Sequence, residues 1–439
     1  MIYSRQIFNA LAPHIFVLLF CILFFCQYVY LSHSQVLNHY PFISPDGYEW
    51  YTNGLYYLER SWHHRENLPI LPVLRPPVYV ALNTLDFLIF ESGIVLGATQ
   101  ALSIFFTYYF CLILYRQFRA NSDKESSIHL WCLALAITLL PINFFRPYIL
   151  SDSLTVCLSL GSVILLSRFF EDQKYFSLAL ASMTATLAAL TQTYGYIPFF
   201  IFLSIYAIGK RSIITYSKFL IYLIALSLPI FTYIIVHYLW RQTLPHLMTP
   251  DNFILLSFSL KNWSFYQLIW PLYFWPILTS LAIALLLIKN KRWLFGGPPT
   301  LYLVVLIFAT LCFFYQWKDS RFTYYFWPWA LILFLSILPR LNVVLKSVLL
   351  LPFIASIFIF PLNPWHPDAH TIKLSYRSWA YEYFTSKPIN RNLNQCIPRC
   401  PINSLCEPSC EGNKYFRDFS HHGTGKTLST YLFLRQQKD

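Results

Sequence analysis

The chain has 439 residues, of which 56% are hydrophobic and only 12% charged. A soluble globular domain carries about 25% charged residues, so the composition excludes that class and indicates a chain that crosses a membrane many times. The net charge of +13 would suggest a nucleic-acid partner in a soluble protein; here it predicts Lys and Arg gathered in short cytoplasmic loops.

Arg5 precedes an apolar run over 10–31. The run is too long for a signal-peptide core and no small-residue cleavage site follows it, so it reads as a first transmembrane helix with a cytoplasmic N-terminus. The polar segment from Ser32 to Arg75 then faces outward. It contains Ser44-Pro45-Asp46-Gly47-Tyr48-Glu49-Trp50 and His63-His64, and ends in Arg75-Pro76-Pro77. Its many aromatics predict short interfacial helices. Residues 78–90, with Asp86 inside, are short for a span and read as a juxtamembrane helix.

Further apolar runs cover 93–115, 128–144, 153–169, 175–191, 195–209, 213–238, 267–288, 299–316, 324–339 and 342–361. With the first they make about eleven spans, each near the ~20 residues needed to cross the hydrocarbon core. Every second loop is short and basic: Arg116, Arg119 and Lys124; Arg168 and Lys174; Lys210, Arg211 and Lys218; Lys289, Lys291 and Arg292; Arg340 and Lys346. These read as inside loops. The alternate loops hold isolated charges among aromatics and prolines.

The expected fold is therefore an all-α polytopic membrane protein. Residues 1–361 form one transmembrane domain, 32–92 its first outward loop, and 362–439 an outward C-terminal segment. In that segment Cys396, Cys400, Cys406 and Cys410 predict two disulfides rather than a zinc knot, since the spacings are not those of paired CxxC ligands. Cys21, Cys26, Cys111, Cys132, Cys157 and Cys312 lie in apolar runs and read as buried small hydrophobes.

An ionisable group beside a membrane is costly unless used or paired. The outward loops carry Asp46, Glu49, Arg75, Arg146, Asp152, Lys318, Asp319 and Arg321. Carboxylates suit removal of a proton from a hydroxyl, and arginines grip a phosphate with two parallel hydrogen bonds. Those two needs together describe glycosyl transfer from a lipid phosphate.

Four elements carry a resemblance. They are Pro45-Asp46-Gly47-Tyr48 with Tyr51, Arg75-Pro76-Pro77-Val78-Tyr79, Ser151-Asp152-Ser153-Leu154, and Arg321-Phe322-Thr323-Tyr324-Tyr325-Phe326-Trp327-Pro328. In kind and order they resemble motifs of the GT-C superfamily of polyprenyl-phosphate-sugar-dependent glycosyltransferases, in the branch of protein O-mannosyltransferases and lipid A aminoarabinose transferases. The resemblance covers roughly residues 1–340. It implies a GT-C-like bundle in which Asp46 is the catalytic base. Asp152 would contact the acceptor or help orient a metal. Arg75 and Arg321 would bind the lipid phosphate, with Arg146, Lys318 and Tyr324. Many relatives carry two adjacent acids in the first loop. Here Gly47 follows Asp46, and Glu49 is the next acid, one helical turn away if the segment is helical.

Plainer readings stand beside these. Ser-Pro-Asp-Gly is also an ordinary turn sequence, Arg75 could snorkel to headgroups, and Asp152 could cap a helix starting at Ser153. The expected activity is inverting transfer of a sugar from a polyprenyl-phosphate donor to a glycan, lipid or protein acceptor on the periplasmic or lumenal face. The expected location is a bacterial inner membrane before an ER membrane. The alternative is a flippase, transporter or polymerase for a lipid-linked glycan precursor. No nucleic-acid partner is expected. The sequence offers no clear metal ligand set and leaves a divalent cofactor open.

Overall fold

A computed structural model of the chain describes residues 2–33, 50, 53–54, 75–89, 93–118, 127–139, 151–209, 216–241, 301, 303–307, 325, 327–338, 344 and 347. Asp46, Glu49, Arg146, Lys318, Arg321, Tyr324 and the four C-terminal cysteines lie outside the described residues, as does the expected span 267–288. Among the described residues the structure is helical, with no strand. The longer helices are α1 (Ile2–His33), α2 (Pro77–Ile89), α3 (Ile94–Phe118), α4 (Ser127–Leu139), α5 (Asp152–Asp172), α6 (Tyr175–Thr191), α7 (Ile197–Gly209), α8 (Tyr216–Arg241) and α9 (Trp327–Ile337). Three of them are long and apolar enough to cross a membrane: Ile94–Phe118, Asp152–Asp172 and Tyr216–Val236.

The chain forms two compact units. The first comprises 1–21, 103–143 and 152–360. At its centre α5 packs against α6 and α7. The apolar window of α5 is 67% buried, against 22% for α8, so α5 is a core helix and α8 a peripheral one. The exposed side of α8 carries Phe219, Leu223, Ile224, Phe231 and Ile235, an apolar face suited to lipid contact. Small residues let the central helices approach closely. On α6, Ala181, Ala185, Ala188 and Ala189 are fully buried. The Ser182 hydroxyl donates to the Ala225 carbonyl oxygen on α8 at 3.0 Å, a tie between helices that replaces water no longer present in an apolar interior. Helix α9 is buried from Trp327 to Leu335. A helix apolar all round belongs in a core.

Two histidine–tyrosine pairs flank α3. Tyr108 Oη lies 3.1 Å from His14 Nδ1, and Tyr115 Oη lies 3.2 Å from His129 Nδ1. Tyr108 and Tyr115 are seven residues apart, so both occupy one face of the helix. The turn between α5 and α6 is held by Gln173, whose φ of 55° is left-handed. Glycine usually takes that position at a helix end. Gln173 takes it while its own amide donates to the carbonyls of Phe169 and Phe170 and to the Tyr206 hydroxyl, at 3.2, 3.0 and 2.8 Å.

The second unit comprises 22–102, 144–151 and 361–439. Its α2 and the start of α3 form a helical corner. Asp86 of α2 is fully buried, and its carboxylate caps α3 from a distance, accepting the backbone N–H of Gly93 at 3.0 Å and of Val95 at 2.7 Å. Gly93 has a φ of 71°, and its carbonyl accepts the Gly97 N–H at 2.8 Å. It thereby opens α3 in a conformation that L side chains rarely adopt.

Of the cysteines expected to be buried, Cys21, Cys111, Cys132 and Cys157 are so, Cys26 is exposed, and Cys312 lies outside the described residues. Cys26 lies on the same length of α1 as exposed Ile22 and Leu23. An apolar run in a membrane protein can face lipid as readily as a core, so hydropathy did not discriminate.

Candidate active site

Two polar clusters bring together elements that the sequence singles out, each within its own unit. The first is built on Asp152. The helix α5 begins at Asp152, one residue before the expected start at Ser153, so this carboxylate stands at the helix N-terminus. A carboxylate there suits the positive end of the helix dipole. The side chain is buried. Its Oδ1 accepts a hydrogen bond from the Tyr325 hydroxyl. The Tyr325 ring in turn lies 6.1 Å from that of Tyr194, in the 3-10 turn between α6 and α7. Tyr325 is also buried. The elements Ser151–Leu154 and Arg321–Pro328 thus meet through side chains 173 positions apart.

The second cluster joins Trp50, Asn53 and Gly54 to the Arg75-Pro76-Pro77 element. Arg75 donates its backbone N–H to Asn53 Oδ1 at 2.9 Å. Its guanidinium stands 5.5 Å from the centre of the Trp50 ring, an attractive cation–π placement. Trp50 meets Tyr79 edge to face at 5.1 Å. The Tyr79 hydroxyl accepts from Gln100 Nε2 at 2.9 Å, and its carbonyl accepts from Asn83 Nδ2 at 2.7 Å. The Thr84 hydroxyl donates to the Gly54 carbonyl at 3.1 Å. Gly54 sits hard against α2: a Cβ there would stand 2.5 Å from that of Asn83. The Arg75 guanidinium is thereby placed over an aromatic ring; a guanidinium carries the planar fork of donors that suits a phosphate.

Of the residues expected at the site, Asp152 and Arg75 are described, and each belongs to a different unit. Tyr325, Trp50, Asn53 and Asp86 were not singled out as site residues by the sequence. For Tyr325 the only signal is its place beside Tyr324 in an aromatic run. For Trp50 and Asn53 it is their nearness to Asp46. Among the described residues no group of three or more His, Cys, Asp and Glu could hold a metal ion. Comparison with protein-family models, with curated proteins and with solved structures finds no match for this chain.

Proposed function

We propose that this chain is an integral-membrane glycosyltransferase of GT-C type, using a polyprenyl-phosphate sugar as donor. The single observation that carries the reading is the bond between two of the four sequence elements: Tyr325, from the Arg321–Pro328 element, donates to the Asp152 carboxylate of the Ser151–Leu154 element. Within the other unit, Arg75 is tied to Asn53 and Trp50. The alternation of basic and mixed loops supports about eleven spans, with the N-terminus in the cytoplasm and the acidic first loop outside. A bacterial inner membrane is the setting that fits best.

In this reading Asp46 takes the proton from the acceptor hydroxyl. The acceptor oxygen attacks the anomeric carbon, and the bond from that carbon to the phosphate oxygen breaks in the same displacement, with inversion. Arg75 and Arg321 receive the departing lipid phosphate, assisted by Arg146, Lys318 and Tyr324. Glu49 stands in for the second acid of the first loop, and Asp152 contacts the acceptor. A flippase for a lipid-linked precursor needs no base in that loop. The test is Asp46→Asn in purified protein supplied with several polyprenyl-phosphate sugars. Transfer should fall to near background while binding of polyprenyl phosphate persists. Unchanged transfer, or transport without transfer in the parent protein, overturns the proposal.

A further inference from the structure

We infer that Tyr325 is the positioning residue for the Asp152 carboxylate, and that it acts in sugar transfer through that carboxylate. The inference rests on the transferase reading. Three observations carry it. The Tyr325 hydroxyl donates to Asp152 Oδ1. Both side chains are buried, where a hydrogen bond to a carboxylate is worth more than at a wet surface. Asp152 opens a core helix, so its backbone is held by the packing of α5, and Tyr325 stands two residues before the start of α9, which is buried along most of its length. Two rigid elements thus meet at one polar contact. A carboxylate serves an acceptor well only when its side-chain torsions are fixed. The Tyr194 ring lies beside that of Tyr325.

The role belongs to Tyr325 and is separate from the phosphate contact expected of its neighbour Tyr324. Loss of a positioning bond slows the chemical step and leaves the grip on the donor phosphate intact. Loss of a phosphate contact weakens donor binding instead.

The experiment compares the parent protein, Tyr325→Phe, Asp152→Ala and the double variant, each purified in detergent. Phe keeps the ring and removes only the hydroxyl. The expected result is a kcat roughly tenfold or more below the parent for Tyr325→Phe, with an unchanged KM for the polyprenyl-phosphate sugar and an unchanged Kd for polyprenyl phosphate. In the Asp152→Ala background Tyr325→Phe should lower kcat no further, because the hydroxyl then has no carboxylate to hold. A parent-like kcat in Tyr325→Phe overturns the inference. So does a raised KM at unchanged kcat, or a full additional loss in the Asp152→Ala background. A Tyr325→Phe protein that does not fold makes the bond a folding contact and overturns it as well. If the parent protein transfers sugar from none of the donors, the transferase reading itself has failed. If the parent transfers and Tyr325→Phe matches it, only the role of Tyr325 has failed.

Discussion

Asp86 illustrates how one buried carboxylate can replace a local helix cap. The N–H groups at the start of a helix have no partner within it, and here two of them find Asp86 from the preceding helix. Burial lifts this carboxyl above its ordinary 3.8, while the N–H groups of Val95, Leu96 and Gly93 pull it back down. The net direction is upward, so the folded protein holds a proton that the unfolded chain has lost. That contribution to stability is complete below 3.8 and is lost as the pH climbs through the folded-state value. Asp86→Asn has no such titration. The melting temperature of the parent relative to Asp86→Asn should therefore drop as the pH is raised from 3.8, measured by thermal unfolding in detergent. Asp86→Ala leaves both donors unanswered and should cost about 1–3 kcal/mol at low pH, where the parent carboxyl is protonated, and less as the pH is raised. A parent-like melting point for Asp86→Ala would show that the cap is dispensable.

At the scale of elements, the corner between α6 and α7 depends on the absence of a side chain. A Cβ on Gly195 would lie 2.6 Å from the Ala188 carbonyl oxygen and 2.8 Å from the Ala188 Cβ. Neither atom belongs to the end of a flexible side chain, so the turn would have to open. Gly195→Ala should destabilise the protein by about 1–3 kcal/mol, seen as a lower midpoint in thermal unfolding. The other corner, at Gln173, carries a side chain in spite of its left-handed backbone, because the residue is exposed and its amide is bonded to Phe169, Phe170 and Tyr206. Close by, the Phe170 and Tyr206 rings stack at 4.0 Å. Phe169 meets Tyr206 and Tyr222 edge to face at 6.2 and 5.8 Å. This cluster ties α5, α7 and α8 at the end where the sequence expects a cytoplasmic loop, and aromatics are at home at such an interface.

For the whole molecule, the decisive number is the count of crossings. An odd count places the two ends of the chain on opposite sides of the membrane. Epitope tags at the N- and C-termini should then differ in sealed, right-side-out vesicles: protease should remove the C-terminal tag and spare the N-terminal one until the vesicles are opened. Equal protection of both tags would refute eleven spans and would move residues 362–439 to the other side.

Much of the helical frame was legible from local pattern. The apolar run 175–191 coincides with α6, and the runs 93–115 and 153–169 fall within two residues of the starts of α3 and α5. Apolar length, and the charged or proline-rich breaks between runs, are properties of neighbouring residues, so the chain announces them without its fold. The first helix is longer than its apolar run and begins at Ile2, because helix propensity continues past the point where hydropathy ends. Partnership was not legible in this way. That Tyr325 bonds Asp152, that Trp50 lies under Arg75, and that Asp86 caps the helix after its own all depend on where helices cross and which faces they turn. Those angles arise from packing between residues up to 173 positions apart, and only the assembled bundle determines them.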